Sequence, residues 1–226
     1  MPDPSAILRQ INRLIAALIE VGLSSHQKPC FQRSVGPGPG TEVTFAGAEA
    51  VSVALKNRSY REIYDHLAKE NAYLLKLPDG AFIQMMYRFA GGELAQHRLA
   101  FFPSPYLEEF QNNPDLYLRD EIYADIVARN IVPFPLRFDF DARTDIHREL
   151  DHPKSHLTLG QYENCRIPVS APLTPFRFLE FILRNFYHVA HRKYAEQLPR
   201  FPESFENTIL TAEKRVVHVT IPAEPA

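Results

Sequence analysis

Leu136-Arg137-Phe138-Asp139-Phe140-Asp141 alternates apolar and charged side chains without a break. Successive side chains of a β-strand point to opposite faces. Leu136, Phe138 and Phe140 therefore share one face, and Arg137, Asp139 and Asp141 share the other. A helix would scatter both sets around its circumference. The stretch predicts a strand, extending over Val132 to Asp141, in an antiparallel sheet with one apolar and one polar side.

The alternation returns at Ser155-His156-Leu157-Thr158-Leu159. Leu157 and Leu159 mark the core side, and His156 and Thr158 lie opposite. Ser155 to Val169 is expected to carry one or two strands. Antiparallel pairing with the first stretch brings His156 onto the face of Arg137 and Asp139. His147 and His152 fall in the intervening loop, within reach of that face.

Upstream, Tyr73 to Leu77, Ala81 to Phe89 and Leu94 to Phe102 read as a three-stranded meander. Its turns are Pro78-Asp79-Gly80 and Ala90-Gly91-Gly92. Ile83, Met85, Tyr87 and Phe89 share one face, and His97 adds a fourth histidine near the sheet. Downstream, Thr174-Pro175 opens a helix expected to run to about Ala195, because Thr caps well and Pro suits the first helical position. Phe178, Leu179, Ile182, Leu183 and Phe186 form its buried side. Arg177, Arg184, His188 and His191 recur at helical spacing, with Arg192, Lys193 and Arg200 following. Val216 to Ile221 reads as a terminal strand.

At the N-terminus, Ser5 to Gly22 predicts an amphipathic helix. Its stripe of Ile7, Ile11, Leu14, Ile15, Leu18 and Ile19 serves either the core or a partner. Ser24 to Gly40 reads as a loop. Gly36-Pro37-Gly38-Pro39-Gly40 looks like a phosphate loop, but its prolines lack the N–H donors one needs. A second helix with Tyr60, Ile63, Tyr64 and Leu67 on one face is expected within Ala48 to Asn71, with Ser59 as its cap. Helical pieces are expected over Tyr106 to Val127, with a turn at Asn112-Asn113-Pro114. The expected fold is a single α+β domain over residues 1–226. Its N-terminal helical region covers about 1–71, and its sheet and C-terminal helix cover about 72–226. The sheet is antiparallel, of about five to seven strands, with helices packed on one face.

Composition narrows the function. Hydrophobic residues make up 45% and charged residues 23% of 226, an ordinary globular balance. The net charge of −2 provides no whole-molecule field for nucleic acid, so any such contact must use a local basic patch. Cys30 and Cys165 form no Cys-x-x-Cys pattern, which argues against a zinc ribbon and suits a reducing cytosol. The longest apolar stretch, Leu14 to Leu23, is broken by Glu20 and is too short to span a bilayer. A cytoplasmic protein without membrane contact is expected.

Arg137, Asp139, His147, His152 and His156 form the candidate catalytic set. Imidazoles transfer protons near neutral pH, a carboxylate can steady an imidazolium, and a guanidinium can stabilise charge on phosphate. These are the parts of metal-independent RNA cleavage, which requires no cofactor. Asp139, Asp141, His152 and His156 could instead hold a divalent metal, although their spacing matches no strong metal motif. A third reading is a solvated sheet face. Cys165 is either a nucleophile beside His156 or His147, or a small buried hydrophobe. Arg177, Arg184, His188 and Arg192 are the candidate nucleic-acid contacts.

The run from Arg137-Phe138-Asp139-Phe140-Asp141 through His152-Pro153 and His156-Leu157-Thr158-Leu159-Gly160 to Arg184-Asn185-Phe186-Tyr187 resembles an uncharacterised bacterial family, a domain of unknown function. That resemblance implies no activity. A second, weaker likeness is to the TumE-like toxins of bacterial toxin–antitoxin pairs. Their pattern is Arg-x-Asp, a His, a Pro-containing His cluster on a strand, and then a helix. Arg137, Asp139, His147, His152 and His156 match it. Thr158 stands where those toxins carry the second histidine of a His-x-His pair, and this chain is longer. This likeness implies a toxin or defence effector with nuclease activity on RNA, and an antitoxin or other operon-encoded protein as partner. The alternative is a non-catalytic accessory subunit of such a system.

Overall fold

The computed structural model describes residues 1–36, 38–49, 58–106, 133–162 and 164–222. Among these residues four α-helices and nine strands occur in the order α1 (Pro4–Glu20), β1 (His26–Gln27), β2 (Cys30–Val35), β3 (Gly40–Phe45), α2 (Tyr60–Lys69), β4 (Leu75–Lys76), β5 (Phe82–Ala90), β6 (Glu93–Phe102), β7 (Leu136–Asp141), β8 (Ser155–Leu159), β9 (Ile167–Pro168), α3 (Pro175–Phe186) and α4 (His188–Tyr194). The nine strands form one antiparallel sheet, and seven lie along its main path β1-β4-β5-β6-β7-β8-β9. The fold is α+β. Except for Tyr106, the helical pieces expected over 106–127, including the Asn112-Asn113-Pro114 turn, lie outside the described residues.

Local chemistry sets the helix starts. The Asp3 carboxylate accepts from Ala6 N at 2.7 Å, with Pro4 opening α1. Ser59 and Glu62 close a reciprocal capping box on α2: Glu62 Oε2 accepts from Ser59 N at 2.9 Å, and Ser59 Oγ accepts from Glu62 N. Thr174 Oγ1 accepts from Arg177 N to start α3. Gly22, at φ +75°, ends the turn after α1 in a conformation only glycine adopts freely.

The core lies on the apolar side of the sheet. Ile83, Met85, Tyr87, Leu99, Phe101, Leu136, Phe138 and Leu157 pack there against α1 and α3. The Phe138 ring meets Phe181 and Phe178 edge-on, with centroids 5.3 and 6.2 Å apart. Ile7, Ile11, Leu14 and Leu18 are buried in the same cluster, so most of the α1 stripe is taken up by this chain's own core, while Ile15 is partly buried and Ile19 is 46% exposed. A smaller cluster occupies one end of the opposite face. There Tyr64 of α2 stacks on Phe82 at 4.5 Å, beside Ala100 and Phe102. Among the described residues no further helix joins that cluster, and the polar side chains of the strands line a cleft beside it.

Three expectations are corrected. Ser24–Gly40 is not a loop: it holds β1 and β2 and reaches β3, so the region before residue 71 is not purely helical. The β2–β3 hairpin joins Cys30–Val35 to Gly40–Phe45 around the glycine–proline run. Among the described residues strand β2 pairs with β3 alone and lies at an edge, with Cys30 its one fully buried residue, so it shows little hydrophobic alternation. The helix expected over Thr174 to Ala195 divides at Tyr187 (φ −134°, ψ 51°). The Tyr187 ring is buried and its hydroxyl donates to Asp79 Oδ2 at 2.8 Å, which anchors the break. Val216 to Ile221 makes a single bridge, Val219 to Val169, rather than a strand, and Val217 is 91% exposed.

Candidate functional site

Sheet register assembles the polar face. Asp139 lies opposite Arg98 on β6 and opposite His156 on β8. Gln96 lies between Arg88 and Asp141, and Arg137 lies opposite Thr158. All of these side chains take the side of the sheet away from Phe138. With Arg143, Tyr162, Cys165 and Arg166 from the flanking loops they line a cleft of about 470 Å³.

Asp139 is the hub. Its Oδ1 accepts from Arg98 Nε at 3.2 Å, and its Oδ2 lies 3.5 Å from Arg137 Nε and 4.0 Å from His156 Nε2. Burial alone pushes this carboxyl up, but Arg137, Arg98 and His156 outweigh it and hold it below the usual carboxylate range. Asp141 behaves similarly. Burial raises it, while hydrogen bonds from Arg143 (2.7 Å) and Gln96 (2.8 Å) bring it below its usual value.

Both cleft imidazoles are held in one tautomer. His156 Nδ1 is 2.9 Å from Pro153 O, and His152 Nδ1 is 3.1 Å from Ile146 O. A carbonyl only accepts, so both Nδ1 atoms carry hydrogen and each neutral ring keeps its Nε2 lone pair free. The rings lie 5.1 Å apart. Burial depresses the pKa of both. Asp139 partly offsets this at His156, and Arg166 adds to it at His152. Both rings are therefore predominantly neutral at pH 7.

Charge decides what this cleft can hold. Five arginines (88, 98, 137, 143, 166) face three acids (Glu42, Asp139, Asp141), an excess of two positive charges before the histidines are counted. The whole chain carries −2. Among the described residues, neither Arg88 nor Arg166 has an ion-pair partner. A concave, partly desolvated site with surplus guanidinium charge suits a phosphate-bearing anion.

The metal alternative fares differently. Among the described residues no group of three or more His, Cys, Asp or Glu side chains is arranged to hold a metal ion. Asp139 and Asp141 are two residues apart on one strand face, about 7 Å, and each is engaged by arginine.

The expected residues do not all converge. Arg137, Asp139, His152 and His156 meet in the cleft. His147 lies outside its lining, because its Nε2 is 3.3 Å from the buried Glu213 carboxylate. His97 turns to the core side, where its Nε2 accepts from Leu173 N at 3.1 Å and burial pushes its pKa down to about 4. Arg177 is no surface contact. It is buried, donates to Pro222 O at 3.0 Å and lies 3.8 Å from Glu180. Arg184, His188 and Arg192 are exposed, and the break at Tyr187 puts Arg184 on a different helix from the other two. Helix α3 covers the apolar face, so this basic surface and the cleft lie on opposite sides of the sheet.

Arg88, Gln96, Arg98, Arg143 and Arg166 were missed by sequence reasoning. Arg88 carried a usable signal, since it falls between Tyr87 and Phe89 and so takes the polar side of an alternating strand. Arg166 sits in a loop and had none. Across residues 23–221 the chain matches the model of the family described as Uncharacterized conserved protein (DUF2290). No curated protein and no solved structure matches it.

Proposed function

We propose that this chain, which belongs to that family of uncharacterised conserved proteins, seats an RNA phosphodiester in its polar cleft and cleaves it without a metal. The observation that carries the reading is the pair of imidazoles with free Nε2 lone pairs in a cleft whose arginines outnumber its acids by five to three. His156 Nε2 takes the proton of a ribose 2′-hydroxyl, and the 2′-oxygen attacks phosphorus. Arg98, Arg137 and Arg166 stabilise the extra negative charge of the five-coordinate state. Asp139, 4.0 Å from His156 Nε2, steadies the imidazolium as it forms. The bond to the 5′-oxygen breaks, and that oxygen takes a proton from protonated His152, leaving a 2′,3′-cyclic phosphate. Both histidines are depressed in the free protein, and an anion seated between them raises both.

Incubation of RNA with the purified protein in EDTA tests this. Cleavage to a cyclic phosphate is expected, and a 2′-deoxy substitution at the scissile nucleotide should abolish it. His156→Ala should lower the rate by about 10²-fold or more. RNA left intact both in EDTA and with divalent metals would sink the reading. In a toxin or defence setting a neutralising protein partner follows, because the wild-type chain, but not His156→Ala, should arrest growth when expressed alone. For the accessory-subunit reading, four of the six residues of the α1 stripe it relied on are buried within this chain, and Ile19 is the exposed one.

A further inference from the structure

Two features of the cleft are not used by the chemistry above. The first is Arg88. It sits on β5, three strand spacings from His156 on β8, about 14 Å across the sheet. It is exposed, lines the cleft, and has no ion-pair partner among the described residues. Glu42 lies directly opposite it but pairs with Arg33 at 2.7 Å. A phosphate held at Arg88 therefore belongs to a different nucleotide from one held at His156.

The second is an exposed aromatic surface at the other end. Tyr162 lines the cleft and is 77% exposed, and Phe134 is 51% exposed. Gly160, at φ +63°, brings the two together: a Cβ there would lie 3.5 Å from the Tyr162 ring and 3.7 Å from Phe134 Cβ. Two open aromatic side chains beside an arginine-lined cleft form a stacking platform for a base.

The geometry points to single-stranded nucleic acid as the occupant, laid across the strands with an unpaired base on Tyr162 and a remote phosphate on Arg88. This rests on reading the cleft as a phosphate site. It goes further by excluding a duplex and a mononucleotide as preferred ligands. His156 is only 6% exposed at the cleft floor. A flexible single strand can dip to it, whereas a base held in a duplex is not free to stack on Tyr162.

Fluorescence anisotropy with an all-deoxy single strand of about eight nucleotides separates binding from cleavage, because that probe cannot be cut by a 2′-hydroxyl route. Tighter binding of the single strand than of the matching duplex or a mononucleotide is expected. Tyr162→Ala should weaken it about tenfold, and Tyr162→Phe should restore it. Arg88→Ala should weaken it and reduce the slope of log affinity against log salt by about 1. Equal affinity for duplex and single strand overturns the proposal. So does either alanine variant binding like the wild type. A strand bound in the expected way, with RNA never cut, removes the cleavage reading and leaves this one standing.

Discussion

On the Phe138 side of β7, large side chains are enclosed. Phe138 is 1% exposed between the rings of Phe178 and Phe181, and its cross-strand neighbours Leu99 and Leu157 are also buried. On the Asp139 side, one carboxylate is shared by two arginines and a histidine, two further arginines have no acid among the described residues, and two imidazoles keep a free nitrogen. The first face is saturated because apolar surface gains by leaving water. The second is left short of negative charge, which costs electrostatic free energy until an anion supplies it. The contrast separates residues that hold the fold from residues that wait for a ligand.

Phe138→Ala should break the saturated face most severely. It removes a ring between two others and should cost about 3–5 kcal/mol of stability, read by urea unfolding. A loss below about 1 kcal/mol would show that the face is not tightly packed.

Acid sharpens the contrast next. His97 lies on the saturated side, and its pKa is pushed down from 6.5 to about 4. Between those values the unfolded chain binds the proton and the folded chain does not, so stability falls as pH drops from 6.5 through 4. The loss should reach roughly 3 kcal/mol. His97→Gln keeps an acceptor for Leu173 N and should flatten that limb of the stability–pH curve. Parallel curves for variant and wild type would contradict this role for His97.

The smallest effect belongs to the open face. Arg88→Ala and Arg166→Ala should each change unfolding free energy by no more than about 0.5 kcal/mol, because neither guanidinium has an ion pair among the described residues to lose. A large loss for either would make it part of the fold rather than of the binding surface.

The polar face was partly legible from sequence because it lies on two short, strictly alternating strands. Asp139 beside His156 follows from pairing Leu136–Asp141 with Ser155–Leu159, and that pairing occurs. His147 was not legible. Its place depends on Glu213, 66 residues away at the start of a one-turn 3-10 helix, Glu213–Arg215. Arg177 was misread because helical spacing shows a stripe but not which part of it the C-terminal segment covers. The β2–β3 hairpin was missed because an edge strand with one fully buried residue has almost no apolar period to detect.

Two local properties, side-chain alternation and cap chemistry, were enough to decide that Leu136–Asp141 and Ser155–Leu159 become strands, where α3 starts, and which face Phe138 and Asp139 take. Tertiary structure alone decided that Arg98, 41 residues before Asp139, would bond to its carboxylate. It also decided that α2 would cover only one end of the polar side and that Tyr187 would break the last long helix. A period of two sets the direction of each side chain within its own strand. What lies beside that side chain depends on long-range register and packing, which no local pattern encodes.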